Sequence, residues 1–346
     1  MKKIVAKALV VALAAVSAVG ITACTPDEPI DPDDKGSVTL VAFDAAGVVP
    51  SGGCDYYLCP EPAASTKIKG TASSAKPFFM AGSLQTLYGG ENGYPQAVLV
   101  AKKSVIESSP AAVAQMITYM TGSASYLESV APETVLSLLA DKRTEGLAPS
   151  FNANNLTQEV IKNCSVRFTP ASEGKAQVNE FLTKLIAVNA NAASTVSDSF
   201  YYTGSADASA VEGTYSVYAP DGAPALSLIH AISKEVDHFN YHVVDPATIQ
   251  TYVTGNQPTA DFCVLPVNAA SKLLGNGEIY QMLGTVTNGN IYFLSTGDNA
   301  VLTADNLSSL KGKRLGVVQL TNVPGLTLQA VLKRAGIEYT IESNSN

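Results

Sequence analysis

The sequence predicts an α/β protein of two lobes, each a mostly parallel sheet covered by helices, and three observations carry that expectation. Short β-like runs alternate with helical ones through the second half of the chain, the pattern of strands joined by covering helices. The stretch VYAPDGAPALSLIHAI at 217–232 is answered at 317–332 by VVQLTNVPGLTLQAVL, with Val217 matching Val317, Pro224 Pro324, Leu226 Leu326 and Leu228 Leu328, and Ser227 answered by Thr327. The length of 346 residues, 46% hydrophobic and 15% charged, suffices for two cores.

Each matched unit reads as strand, turn and helix. In the first, Asp221 is placed to cap a helix whose first turn accepts Pro224, where a missing N–H costs nothing. Ala225, Leu228, Ile229 and Ile232 then form one apolar face. In the second, Thr321 or Asn322 is the cap, Leu328, Val331, Leu332 and Ala335 are the face, and Gly336 is the stop. Helix starts that follow strand ends point their free N–H groups to where α/β proteins bind ligands. The pair therefore predicts two lobes aimed at a shared cleft.

Taken in order, the chain opens with an export signal over 1–23. Lys2, Lys3 and Lys7 precede an apolar run at 8–19 that is too short for a comfortable membrane span. Thirty acidic against 22 basic residues give −8, and loss of those three lysines gives −8 − 3 = −11. With no basic stripe, that charge argues against nucleic acid as a partner. Residues 24–36, rich in Pro and Asp, form a flexible tether. Strands are expected at 38–43, 56–59 and 97–100, the first two separated by a Gly/Pro loop at 47–53.

From Pro110 the texture turns helical. One helix carries Val113, Met116, Ile117 and Met120, and a second, from Pro132, carries Val135, Leu138 and Leu139. Two more cover 156–161 and 178–188, the latter with Phe181, Leu182, Leu185 and Ile186. The small polar run SADASAVEG at 205–213 reads as a linker. Strands then recur at 215–218, 241–244, 262–265, 291–294 and 338–341.

Motifs that carry chemistry are few. There is no G-x-S-x-G, HExxH or phosphate-binding glycine loop, and Gly275-Asn276-Gly277 reads as a helix end and turn. Cys54 and Cys59 bracket a strand that holds them ~16 Å apart and on opposite faces, against ~5.5–6 Å for a bridge. Free, mostly buried thiols are expected, and neither a cofactor nor a metal. His230, His238 and His242 read as structural or solvated. Glu61, between two prolines, has no partner in its motif and reads as a pocket wall or ligand acceptor rather than a catalytic group.

Six segments carry a family resemblance: YAPDGAPALSL (218–228), DFCVLPVNAASKL (261–273), GNIYFLS (289–295), LKGKRLGVVQLTNVPGLTLQ (310–329), DYYLCPEPAAS (55–65) and LQTLYGG with YPQAVLV (84–100). Together they resemble the type 2 periplasmic-binding-protein fold. The likeness is to substrate-binding lipoproteins of ABC importers in the nitrate, sulfonate and thiamine-precursor group. The order departs from that family's: 213–346 resembles its first half and 35–204 its second, as if circularly permuted.

The resemblance implies a discontinuous lobe of 37–103 plus 296–346, a continuous lobe of 104–295, and hinge crossings near Lys102 and Ser295. Ile21-Thr22-Ala23-Cys24 resembles a lipobox, which implies lipidation of Cys24 and an extracytoplasmic protein anchored to the bacterial membrane. The implied function is a monomeric receptor, not an enzyme, that closes on a small organic solute and presents it to an ABC permease. An enzyme on the same fold, like a thiamine-pyrimidine synthase, and a sensory or scaffolding lipoprotein are the alternatives.

Ligand-binding residues are expected at strand ends: Pro220, Asp221, Gly222, Ala223, Asn268, Ala269 and Asn290 in one lobe, and Asn322, Val323, Pro324, Gly325, Pro60, Glu61 and Tyr88 in the other. Asn268 and Asn322 can both donate and accept, which suits a polar heterocycle or zwitterion. Tyr57 or Tyr88 could stack on a planar ring. Asp221 and Glu61 make a purely anionic ligand less attractive.

Overall fold

Twelve strands divide into two mixed sheets of six, covered by helices, in a computed structural model that describes residues 36–43, 49–50, 52–204 and 209–342. The export signal, Cys24, the tether up to Lys35 and part of the 205–213 linker lie outside the described residues. Among the described residues no helix is long and apolar enough to cross a membrane.

The strands are β1 (Val38–Phe43), β2 (Tyr56–Pro60), β3 (Phe78–Ser83), β4 (Ala97–Lys102), β5 (Val166–Pro170), β6 (Tyr215–Pro220), β7 (Phe239–Val244), β8 (Phe262–Pro266), β9 (Tyr280–Thr287), β10 (Ile291–Thr296), β11 (Arg314–Val318) and β12 (Tyr339–Glu342). The first sheet runs β12-β1-β11-β2-β10-β3 and the second β5-β9-β4-β8-β6-β7. Each has a parallel half, with β12, β1, β11 and β2 in one and β7, β6 and β8 in the other. The remaining strands pair antiparallel. The expectation of mostly parallel sheets is thus corrected to mixed ones. The sheets are mixed because β10 runs antiparallel to β2 and β3, β4 antiparallel to β8 and β9, and β5 antiparallel to β9.

Strand pairing also moves the crossings between sheets. β4 lies between β8 and β9 in the second sheet, whereas β10 lies between β2 and β3 in the first. The chain therefore changes sheet at 84–96 and again at 288–290, not near Lys102 and Ser295. Tyr339 pairs with Val38, so the first sheet is built from both early and late residues.

Local sequence explains the parts that were anticipated. β2 is buried at Tyr56, Tyr57, Leu58 and Cys59, the continuous apolar run expected of a central strand. Helix Val323–Arg334 follows β11 with Asn322 at its N-cap and Pro324 in its first turn. It ends where Gly336, at φ 65°, donates to Lys333 and Ile337 donates to Leu332, a glycine-terminated Schellman motif. Leu328, Val331 and Leu332 are buried as expected, but Ala335 is exposed.

The matched unit after β6 differs. Its helix is two four-residue pieces, Ala223–Leu226 and Ile229–Ile232, and the N-cap is Gly222, not Asp221. Ser227 and Leu228 donate to Pro224 and Ala225, three residues back, and the Ser227 carbonyl accepts from Ser123 Oγ at 2.7 Å. Ser227's own hydroxyl also donates to the Pro224 carbonyl at 2.6 Å, so the break involves a local bond as well as one from a residue far away in sequence.

The helices at 110–121 and 132–140 start at Pro110 and Pro132 and bury Val113, Met116, Met120, Val135 and Leu139. The expected 178–188 helix is longer, Ala171–Val188, and packs against Val323–Arg334. Its Phe181 stacks on Tyr94 with ring centroids 5.3 Å apart. One apolar cluster takes Leu40 and Leu58 from the first sheet and Val98 and Leu265 from the second. The sheets therefore share a core across the seam between them.

Candidate functional site

Most of the expected residues follow the C-terminal ends of β2, β6, β8 and β11, whereas Asn290 precedes β10 and Tyr88 lies in the helix Leu84–Gly89; the structure gathers some of them into separate groups and disperses the rest. The first group sits at the crossing 288–290. Pro60 pairs with Ile291, and the next residue, Glu61, donates its backbone N–H to the Asn290 carbonyl at 3.1 Å. Asn290 is buried and accepts on Oδ1 from Gln96 Nε2 at 3.0 Å. Gly289 lets the chain cross here. Its φ is 98°, and a Cβ would lie 2.6 Å from Gln85 Cβ and 3.0 Å from Tyr94 Cε1, a backbone state and a spacing that side chains do not tolerate.

Glu61 is only 3% exposed, and both carboxylate oxygens have partners. Oε2 accepts the Ser65 N–H at 3.0 Å, while Oε1 accepts Ser65 Oγ at 2.7 Å and Asn163 Nδ2 at 2.9 Å. The Ser65 bonds tie the carboxylate to the first turn of helix Ala63–Thr71, where the dipole favours negative charge. Asn163 comes from the other side of the seam, at the end of helix Gln158–Asn163. Its carbonyl accepts from Tyr292 Oη at 2.9 Å. Burial, and then the Glu61 charge, push the Tyr292 hydroxyl well above its ordinary pKa, so it stays a neutral donor. Lys69 Nζ donates to the Asn154 carbonyl at 3.1 Å, a second tie across the seam.

Next to this group lie buried polar atoms with no partner among the described residues: Gln96 Oε1, Thr285 Oγ1, Thr287 Oγ1, Asn288 Oδ1 and Tyr94 Oη. Buried groups of this kind are ordinarily satisfied by protein or ordered water.

The second group is at the end of β6. Asp221 is buried, and its carboxylate accepts from Arg143 Nε at 3.1 Å and from the Ser150 N–H at 2.6 Å. Gly222, at φ 104°, makes the turn, with Ala223 buried behind it. Sequence reasoning did not find Arg143 or Ser150, because both come from the irregular stretch after helix Pro132–Ala140, where no periodicity marks a residue. Asp221 and Glu61 are thus occupied by protein donors, and neither presents a free carboxylate.

The other expected residues are dispersed. Asn268, half-buried, donates Nδ2 to the Ala192 carbonyl at 3.3 Å, and Ala269 is buried in the helix Val267–Leu274. Asn322 is exposed and makes no side-chain capping bond, while Val323, Pro324 and Gly325 are buried. Tyr88 is not beside Glu61. It packs edge-on against Tyr94 and Phe181 and beneath Arg334, and burial pushes its hydroxyl up to about 12. Tyr57 is enclosed by Phe43 and Phe78. Both tyrosines are packing residues here.

The cysteines among the described residues are free thiols, with Cys59, Cys164 and Cys263 buried and Cys54 half-buried. His230 bonds the Tyr119 carbonyl, His238 bonds that of Gly213, and His242 stacks on Tyr218. Among the described residues no group of three or more His, Cys, Asp or Glu is placed to hold a metal.

Two of the cavities among the described residues are lined mainly by other side chains. One, of about 280 Å³, is walled by residues 141–144 and 239–242. The other, of about 160 Å³, lies against helices Pro110–Thr121 and Ala171–Val188. None of the expected ligand residues lines either.

Fold and site together define an α/β protein of two mixed six-stranded sheets with a polar seam at their strand ends. No family model, curated protein or solved structure matches the chain.

Proposed function

We propose that the protein is an extracytoplasmic solute receptor of the type 2 periplasmic-binding-protein kind, anchored through Cys24, that delivers a small organic molecule to an ABC permease. The observation that supports this reading most is the arrangement of the sheets. Two sheets of equal size are joined by two crossings, at 84–96 and 288–290, beside the strand ends that bear Glu61 and Asn290. Such a pair of crossings is a hinge, about which two lobes close on a ligand whose contacts are made only in the closed state. On this reading the protein performs no chemistry.

The bonds that already join Glu61 to Asn163 and Lys69 to Asn154 across the seam favour a second reading, a sensory or scaffolding lipoprotein with its cleft held shut.

A thermal-shift screen over heterocycles, sulfonates and carboxylates, followed by small-angle scattering, separates the two. A solute at ~100 times its dissociation constant adds about 2.7 kcal/mol of stability. A receptor gives such a solute, recovered unchanged, and a smaller radius of gyration with it. A chain that no solute stabilises and whose radius never changes refutes the receptor reading.

A further inference from the structure

The two strand-end carboxylates are answered by one continuous stretch of chain. Arg143 and Ser150 bond Asp221 at the end of β6, and Asn163 bonds Glu61 at the end of β2. Over 141–157 that stretch has neither helix nor strand beyond the single bridge of Arg143 to Val243. Irregular runs longer than about 12–15 residues are uncommon inside a domain and are often lids or binding loops. This one is ordered by its own bonds: Asn155 Oδ1 accepts the Asn152 N–H at 2.8 Å, and Asn155 Nδ2 donates to the Ser150 carbonyl at 3.0 Å. Phe151 and Leu156 root it in an apolar cluster on the second sheet, together with Val160 and Ile161 of the helix Gln158–Asn163 that follows. The stretch therefore travels with the second sheet. Its hydrogen bonds to the first are those of Asn163 Nδ2 to Glu61, of Tyr292 Oη to the Asn163 carbonyl and of Lys69 Nζ to the Asn154 carbonyl.

We propose that residues 143–163 are a latch, seated on the second sheet, that fastens helix Ala63–Thr71 of the first and so sets how often the cleft opens to admit a solute. Successive side chains of a strand point to opposite faces, and that alternation locates the pivot. Leu58 of β2 and Val98 of β4 lie in the core that both sheets share, whereas Tyr57 and Leu99 lie in separate clusters on the opposite faces. Ala63 and Ala64 belong with Tyr57, and the latch belongs with Leu99. The latch thus joins the two outer layers across from the shared core, about which the lobes can turn. Parting there breaks hydrogen bonds rather than an apolar cluster, while lifting the latch off its own sheet would bare Phe151 and Leu156. The groups released are not stranded: Glu61 keeps both Ser65 bonds, and Lys69 and Asn154 are exposed to water. A contact of this kind shifts a population, and a solute that enters only the open form binds more weakly in proportion to how seldom that form occurs. The inference rests on the receptor reading in one respect, that what passes the latch is the captured solute.

The test uses the full chain and needs no solute. Cys59 and Cys164 lie beside the latch: after burial, the Glu61 charge raises the pKa of both thiols. Cys263, in the shared core, is the internal control. Peptide-resolved iodoacetamide labelling of K69A/N163A is expected to run roughly tenfold faster than in the wild type at Cys59 and Cys164, with no change at Cys263. Small-angle scattering of the same variant is expected to give a larger radius of gyration. K69A alone, which removes only an exposed side chain, is expected to give part of both effects. Unchanged labelling and radius, or an acceleration shared equally by Cys263, overturns the latch. A solute from the thermal-shift screen separates this from the receptor reading. One that compacts K69A/N163A more than the wild type supports both, and one that compacts the two proteins equally leaves the receptor and removes the latch. A variant that opens while neither protein binds any solute keeps the latch and removes the receptor.

Discussion

Replacing Glu61 by glutamine tests whether the two sheets are held by the contact described at the seam. The carboxylate accepts three hydrogen bonds, two from Ser65 and one from Asn163, at 2.7–3.0 Å. A hydrogen bond to a charged group contributes about 1.5–3 kcal/mol, and a buried donor left unpaired costs about 1–3 kcal/mol. The glutamine amide keeps one acceptor oxygen but turns NH2 toward either the Ser65 N–H or the Asn163 amide, donor against donor. E61Q should therefore destabilise by about 2–3 kcal/mol, and N163A, which forfeits one bond to the carboxylate, by about 2 kcal/mol. Because the two share a bond, the double mutant should fall short of their sum by about 1–2 kcal/mol. Urea unfolding of the four proteins, followed by fluorescence and by circular dichroism, measures each value. An E61Q protein within 0.5 kcal/mol of the wild type, or strict additivity with N163A, would refute the claim that Glu61 bridges the sheets.

Further outcomes follow from single residues. Gly289→Ala forces a side chain onto φ 98° and against Gln85 and Tyr94; a loss of about 2–4 kcal/mol is expected from strain and crowding together, read by the same unfolding assay. Asn322→Ala removes an exposed side chain with no capping bond, so free-protein stability should change by less than about 0.5 kcal/mol, and any drop in solute affinity is a direct contact effect. The folded-state pKa of His242 is lowered from 6.5, so the folded chain binds fewer protons there than the unfolded one. Its contribution is present above that value and lost as pH falls toward the folded pKa, and stability curves of His242→Gln should show a flatter acid limb. Burial raises the pKa of the Cys59, Cys164 and Cys263 thiols. In peptide-resolved iodoacetamide labelling of the native chain, half-buried Cys54 should react before those three.

The legible parts of the fold were those with their signals written locally. Asn322, Pro324 and Gly336 mark the start and stop of helix Val323–Arg334 with their own backbone preferences, and β2 announces itself as an unbroken apolar run. β9 did not, because Thr285 and Thr287 are buried polar residues whose place is fixed by pairing with β4 and β5. At the helix break, Ser227 bonds both the nearby Pro224 carbonyl and the distant Ser123, and only the first of these is local. The site divides the same way. Asp221, Glu61 and Asn290 stand out as polar residues at strand ends, but what they do is decided by Arg143, Ser150, Asn163 and Gln96. Those partners come from irregular stretches or from the ends of other elements. The anionic ligand disfavoured from sequence returns as a candidate for that reason, since both carboxylates prove to be satisfied internally.

The interleaving of the first sheet has a consequence for how the chain acquires its shape. Every strand of the second sheet lies between Ala97 and Thr287, so that half can assemble from one continuous run. β2, by contrast, waits for β10 and β11, both of which lie far downstream of it and are made only after the whole of the second sheet. Until they arrive, Tyr56, Leu58 and their neighbours are an apolar ribbon with both edges open, the kind of segment that associates wrongly or needs a holding chaperone. Pairings this distant in sequence are also slow to form. The late strands thus set the pace of maturation, and because they also supply part of the core the two sheets share, a truncation that removes them uncovers both β2 and the inner side of the second sheet.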